Sequence, residues 1–172
     1  MFVPSARVVA EDCVEELRIT KARISMPPCP FCSIAVGCGP ARMIFEDDHT
    51  VVFFPLVPAT LGHTLVVPRI HAPDLWAMSP TEAAHLLATT LRIGDVLRDH
   101  LAPEGMNVIH SAGSAASQTV FHAHVHLVPR WRDDAMGPLW PGDGAGVRDA
   151  AVLDLLADEM AALLCPPALP RA

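Results

Sequence analysis

Three histidines stand at alternate positions in Phe121-His122-Ala123-His124-Val125-His126-Leu127-Val128-Pro129. Side chains on a β-strand change face at every residue. His122, His124 and His126 therefore share one face along about 13 Å, while Ala123, Val125 and Leu127 turn to the other, toward a core. One strand histidine is most simply a packed or incidental side chain, but packing alone does not call for three in alternation. Two chemistries suit them. They gather a catalytic metal, as in three-histidine zinc sites. Or they divide nucleophile and proton-handling roles, with the middle imidazole attacking phosphorus and splitting one hard displacement into two easier ones.

The preceding loop, Ser111-Ala112-Gly113-Ser114-Ala115-Ala116-Ser117-Gln118-Thr119, is small, polar and uncharged. Small side chains let backbone N–H groups approach an anion, and the hydroxyls add donors, so the loop suits a phosphate. Without the histidines beside it, it would read as an ordinary flexible loop. A second constellation is Cys29-Pro30-Phe31-Cys32. It admits a redox dithiol, two buried thiols, or half of a tetrahedral zinc shell completed by histidines. Redox dithiols follow a first strand in a βαβ fold, whereas this pair follows the Pro-rich break at Pro27-Pro28. His71 and His122 are available as the other zinc ligands. The remaining cysteines, Cys13, Cys38 and Cys165, have no evident partners and read as thiols.

The elements that must position these residues are legible from their punctuation. Arg42–Glu46 and Thr50–Phe54 read as two strands around the polar turn Asp47-Asp48. His63–Val67 is a further β-rich run closed by Pro68. Ser79-Pro80-Thr81-Glu82 starts a helix with a capping box, and Ala83, Leu87, Leu91 and Leu97 carry helical spacing to about Leu101. Met106–Ile109 is a short strand, Phe121–Val128 the clearest one, and Val147–Leu164 a last helix. Glu15–Ile24 reads as a short helix in an N-terminal extension. Strands, a long helix, then more strands indicate an α+β domain with a mainly antiparallel sheet. The expected division is an extension over residues 1–28, a central domain over 29–132, and a C-terminal extension with a helix over 133–172.

The 172-residue chain suffices for one domain, and its 51% hydrophobic content argues against disorder. Twelve basic against nineteen acidic residues give a net charge of −7, unlike a general nucleic-acid binder. There is no run of 18 or more apolar residues, and the N-terminus lacks the basic and apolar regions of a signal peptide. The expected compartment is the cytosol, with no membrane or nucleic-acid partner.

Taken together, these segments resemble the histidine-triad (HIT) superfamily from about Pro28 to Trp131. The resemblance is carried by Cys29-Pro30-Phe31-Cys32, Glu46-Asp47-Asp48, Gly62-His63-Thr64-Leu65-Val66-Val67-Pro68, His71, Gly105-Met106-Asn107, Gln118, and the triad with Val128-Pro129-Arg130-Trp131. It implies a five-stranded HIT-like fold with one long helix after the third strand and flanking terminal helices. It implies hydrolysis or transfer of a nucleotidyl group at an α-phosphate, with His124 attacking and a nucleotidyl-histidine intermediate. Thr119 and His126 then serve catalysis, and His63 and Gln118 line the substrate site. Ser111 and Ser117 of the small polar loop are further candidate binding residues, and Phe53 could pack a base, although an inward strand Phe is more often core. Zinc-bearing bacterial members are similar in their Cys-x-x-Cys and in the histidines matching His71 and His122. By that likeness Cys29, Cys32, His71 and His122 form a closed structural zinc shell, and the chain is a homodimer. Phosphoramidates and dinucleoside polyphosphates are the implied substrates, a phosphorylase being the variant that uses phosphate as acceptor.

The chain departs from the family pattern in three places. Pro55 stands where an acidic residue usually holds the ribose hydroxyls, Ser111 replaces an Asn, and Ser117 replaces the Gly before the Gln. A site built for a ribose diol would not use Pro there, since each lost hydrogen bond costs about 1 kcal/mol or more. An altered nucleoside pocket is expected, for a modified nucleotide, a non-ribose phosphate ester, or a binding role with little turnover.

Overall fold

The computed structural model describes residues 29–140 and 149–164. A boundary after Met136 divides the chain into two compact units. The first holds the sheet. In chain order it comprises helix α1 (Pro30–Ala35), strands β1 (Arg42–Glu46), β2 (Thr50–Phe54) and β3 (Thr64–Pro68), helix α2 (Pro80–Leu101), and strands β4 (Gly105–Ile109) and β5 (Val125–Arg130). Short 3-10 turns cover Leu75–Ala77 and Ser114–Ala116. The second unit contains α3 (Ala150–Leu164), begun by Asp149, whose carboxylate accepts the Ala151 N–H at 2.8 Å. The expected helix over Glu15–Ile24 and the first residues of the Val147–Leu164 helix lie outside the described residues.

The five strands run in the order β1-β2-β3-β5-β4, and every neighbouring pair is antiparallel. The α+β architecture with a long helix after the third strand is thus observed. The β1–β2 turn closes as its composition requires. The Asp47 carboxylate accepts the N–H groups of His49 and Thr50 at 2.9 and 2.7 Å, an Asx turn. Arg69 straps this hairpin to α1, donating to the Asp47 and Ala35 carbonyls and to Glu46.

Residues of β2 and β3 are almost wholly buried because helices cover both faces of the sheet there. On one face Val52, Val66, Val125 and Leu127 meet Leu86, Ile93 and Leu97 of α2. On the other, Val51, Phe53, Leu65 and Val67 meet Phe31 and Ala35 of α1. The Ser79 hydroxyl accepts the Glu82 N–H while the Glu82 carboxylate accepts the Ser79 N–H at 2.7 Å, so α2 starts with the expected capping box.

One boundary differs from the alternating pattern. Residues 121–124 are not in the sheet, and β5 starts at Val125 and extends to Arg130. The backbone of the histidine segment has found other partners. Ala123 donates its N–H to the Ala72 carbonyl at 2.6 Å, and the His124 carbonyl accepts from the side chain of His110. Two of the three histidines thus precede the strand, in a segment that bends at Phe121-His122, where the His122 N–H meets the Val120 carbonyl at 2.9 Å, and that is held by neighbouring loops. Among the described residues no helix is long and apolar enough to cross a membrane.

Candidate functional site

Helix α1 has Pro at its first position, which fixes φ and needs no N–H donor there. It turns Cys29 and Cys32 toward the segment after β3, which carries His71, and toward His122. The Cys29 Sγ lies 3.4 Å from the His122 Nδ1, and the Cys32 Sγ lies 3.3 and 3.5 Å from the Nδ1 atoms of His71 and His122. The two Nδ1 atoms are 3.3 Å apart, and all four donor atoms lie within 4.8 Å of one another. Tetrahedral zinc with bonds of about 2.3 Å to sulfur and 2.0–2.1 Å to nitrogen has N···N edges near 3.3 Å and S···N edges near 3.5 Å. The one S···N pair at Cys29, the two at Cys32 and the N···N pair already sit at such spacings. The outer contact fits as well. His122 donates Nε2–H to the Pro68 carbonyl at 2.8 Å, which leaves Nδ1 with its lone pair toward the cysteines. Burial and the adjacent Cys29 push the Cys32 thiol up to about 11, a tendency that a coordinated cation reverses outright. These residues fit a zinc ion, and with four protein donors the shell leaves no open position. Cys29 and Cys32 are free thiols, whereas Cys38, expected to be one, is disulfide-bonded.

The other two triad histidines have their tautomers set by their neighbours. His124, 5% exposed, donates Nδ1–H to the His122 carbonyl at 2.7 Å, which makes Nε2 its unprotonated atom. Burial holds the His124 imidazole below the ordinary histidine range, so it stays neutral. Beside it, His63 accepts the Ala59 N–H on Nδ1 at 3.0 Å and therefore carries its proton on Nε2. That proton goes to the Nδ1 of His126 at 2.9 Å, so a neutral His126 carries its own on Nε2. Burial, reinforced by His124, His63 and His110, pushes His126 down to about 4. Three like residues thus hold three different atoms ready. His122 offers a lone pair toward the two cysteines and His71, His124 has one free on Nε2, and His126 offers an N–H. The rings of His124 and His126 lie 4.9 Å apart, and Phe31 packs edge-on against His124 at 5.2 Å.

The loop before the triad is held rigidly. Gln118, 4% exposed, accepts the Gly113 N–H at 2.7 Å and donates to the carbonyls of Pro73 and Val120 at 2.6 and 3.0 Å. Its amide therefore spans the loop from inside. Thr119 is exposed next to it, Ser111 is half-buried, and Ser117 is exposed with a left-handed φ of 66°. Phe53, expected in the substrate site, is 3% exposed and packs against Phe31 at a ring distance of 5.6 Å. Pro55 lies instead on the wall of a cavity of about 500 Å³ with Phe54, Pro58 and Leu61.

One residue beside His124 was absent from the sequence reading. His110, just past β4, donates Nδ1–H to the His124 carbonyl at 3.0 Å and accepts the Leu75 N–H at 3.2 Å. Its signal was available only through the pairing of β4 with β5, which matches Ile109 with His126.

Residues 37–133 match the model of the HIT domain family. A curated relative, Protein hit of Bacillus subtilis, is 34% identical over 113 residues, 65% of this chain and 78% of that protein. An adenylylsulfatase of Arabidopsis thaliana is 30% identical over 108 residues, 63% of this chain and 55% of that protein. Among solved structures, a zinc-bound histidine triad family protein from Mycobacterium smegmatis is 34% identical with a TM-score of 0.60, covering 77% of this chain and 97% of that one. Fold, triad and metal cluster agree with these likenesses, and the chain belongs to the HIT family.

Proposed function

We propose that this protein hydrolyses or transfers a nucleotidyl group at an α-phosphate through a covalent intermediate on His124. The observation that carries the reading is the 2.7 Å bond from the His124 Nδ1–H to the His122 carbonyl. With one nitrogen so engaged, the other is a neutral, buried nucleophile. In the first step the Nε2 pair of His124 forms a bond to phosphorus, and the leaving group departs with the pair of its own bond. The imidazolium that forms keeps its Nδ1–H on the carbonyl oxygen, which stabilises the new charge. The N–H of His126 faces the oxygens where charge collects, and His63 holds that ring in orientation. Thr119 and the N–H groups of the loop supply further donors. Water or another acceptor then attacks phosphorus and loses a proton, which balances the one the departing group takes up, the P–N bond breaks, and Nε2 recovers its pair. Zinc at Cys29, Cys32, His71 and His122 serves structure, since a closed shell does not activate water. Cytosolic location and a homodimer belong to the same reading.

A second reading is favoured by one observation. Pro55, at the place where the family holds ribose with a carboxylate, faces an apolar cavity with Phe54, Pro58 and Leu61. It describes a binding module with an altered nucleoside pocket and little turnover.

The test is product analysis by zinc-loaded protein on adenosine phosphoramidates, adenylyl sulfate, dinucleoside polyphosphates and ADP, with and without inorganic phosphate. Cleavage at the α-phosphate that vanishes in His124→Ala is the expected outcome. Nucleoside diphosphate formed from added phosphate would identify a phosphorylase. Micromolar nucleotide binding without turnover would replace the enzyme with the binding module.

A further inference from the structure

The nucleophile stands where the sheet has ended. The last β4–β5 pair is Ile109↔His126, and β3 pairs with β5 only as far as Val125. The carbonyl of His124 is therefore beyond both ladders and is met by the His110 Nδ1–H at 3.0 Å. The Nε2 of the same ring accepts the Leu75 N–H at 3.2 Å. These two bonds together admit only the neutral, Nδ1-protonated form. Leu75 opens the 3-10 turn that Asp74 caps, and the same loop provides the Ala72 carbonyl for the Ala123 N–H. The His124 peptide is thus gripped from two sides, by Ala72 through its neighbour and by His110 directly.

We propose that His110 is a positioning residue for His124, its donated hydrogen bond prolonging the β4–β5 ladder by one rung so that the backbone of the nucleophile is held. The inference rests on the reading of His124 as the attacking residue. Attack requires the reacting atoms to be aligned at near contact, and a misplacement of about 1 Å costs on the order of 100-fold in rate. His110 touches neither the attacking atom nor a metal ligand. Its ring also helps to lower His124 and His126, so a loss on its removal counts as placement where it persists on the pH plateau of kcat.

Two substitutions separate its two bonds. His110→Asn keeps an N–H where Nδ1 stands and loses the acceptor for Leu75. His110→Gln keeps an amide where Nε2 stands and loses the donor to His124. With adenosine 5′-phosphoramidate as substrate, His110→Gln is expected to lower kcat 10- to 100-fold while KM, the Kd for AMP and zinc content stay within twofold. His110→Asn is expected to keep kcat within threefold of the parent. Should the glutamine variant not fold, His110→Val gives the same comparison. A kcat for His110→Gln within twofold of the parent, or equal losses in both variants, overturns the proposal. If the parent cleaves nothing, or His124→Ala still cleaves, the nucleophile reading has failed. The ¹⁵N imidazole spectrum of His124 then decides the positioning role by itself. Loss of its protected Nδ1–H signal in His110→Gln but not in His110→Asn supports the role, and an unchanged signal in both overturns it.

Discussion

At the scale of single residues, the site works by assigning different protons to identical side chains. Each triad ring has one nitrogen committed, to the Pro68 carbonyl, the His122 carbonyl or the Nε2 of His63, and the other nitrogen is left for a ligand. Burial keeps these rings neutral, with a consequence for stability. His126 in the folded chain titrates at about 4, below the ordinary value of 6.5. Above about pH 6.5 neither folded nor unfolded His126 binds a proton, and its neutral burial costs nothing. Between pH 6.5 and 4 the unfolded chain takes up a proton that the folded chain does not. Stability on the order of 3 kcal/mol is lost over that window, from the size of the shift. His63 and His124, also lowered by burial, add in the same direction. Urea midpoints measured from pH 7.5 to 4.5 should therefore fall, and fall less in His126→Gln. Parallel curves for the two proteins would show that His126 has no part in the acid loss. The same lowering keeps the Nε2 of His124 unprotonated, so the acid limb of kcat/KM is expected below pH 6.5.

At the scale of elements, the site depends on where strands and helices stop. Gly62, two residues before β3, has φ +78°, and a Cβ there would collide with Leu101 at the end of α2. Left-handed strain of about 1–2 kcal/mol opposes a side chain, and the tip of Leu101 must move aside as well. Gly62→Ala should lose about 1–2 kcal/mol in a urea titration, and it should displace His63 and so weaken activity. By contrast, Ser79→Ala at the exposed start of α2 should cost about 1 kcal/mol, the usual worth of a cap, and leave kcat unchanged. Much of this scale was legible in the chain. The Asp47 turn, the Ser79 capping box and the Pro68 stop have local causes, and β1, β2 and α2 lie where those causes put them. The start of β5 was not legible. Alternation of His122 to Val128 describes an extended backbone equally well inside or outside a sheet. What decided was the Ala72 carbonyl, brought there by a loop fifty residues earlier.

At the scale of the whole molecule, the four-donor Cys/His group brings together segments far apart in sequence. Cys29 and Cys32 come from the start of α1, His71 from the loop after β3, and His122 from the triad segment. Bound zinc would also hold Phe31 against His124, because that ring lies between the two cysteines on α1. At a hundred times its Kd, free zinc stabilises the folded state by about 2.7 kcal/mol. For a domain of this size that is roughly 5–10 °C in Tm. Chelation of the holoprotein should lower Tm by that amount. Cys29→Ala should lose bound zinc, and His124→Ala should keep it. Retention of metal by Cys29→Ala with loss in His124→Ala would place the ion among the triad imidazoles instead.

The amino-acid order by itself determined the residue types, the alternation of the three histidines and the family likeness. Those properties are order along the chain, so they are visible without the rest of the molecule. It also marked the Cys-x-x-Cys with His71 and His122 as one donor set, through resemblance. Only the tertiary structure decided which nitrogen of each imidazole is free, because each tautomer is set by a carbonyl or ring nitrogen from another segment. Only it brought His110 to the His124 carbonyl and turned Gln118 inward to span its loop. Only it buried Phe53 beneath α1. Side-chain roles of that kind are contacts between distant parts of the chain, and periodicity carries no record of them.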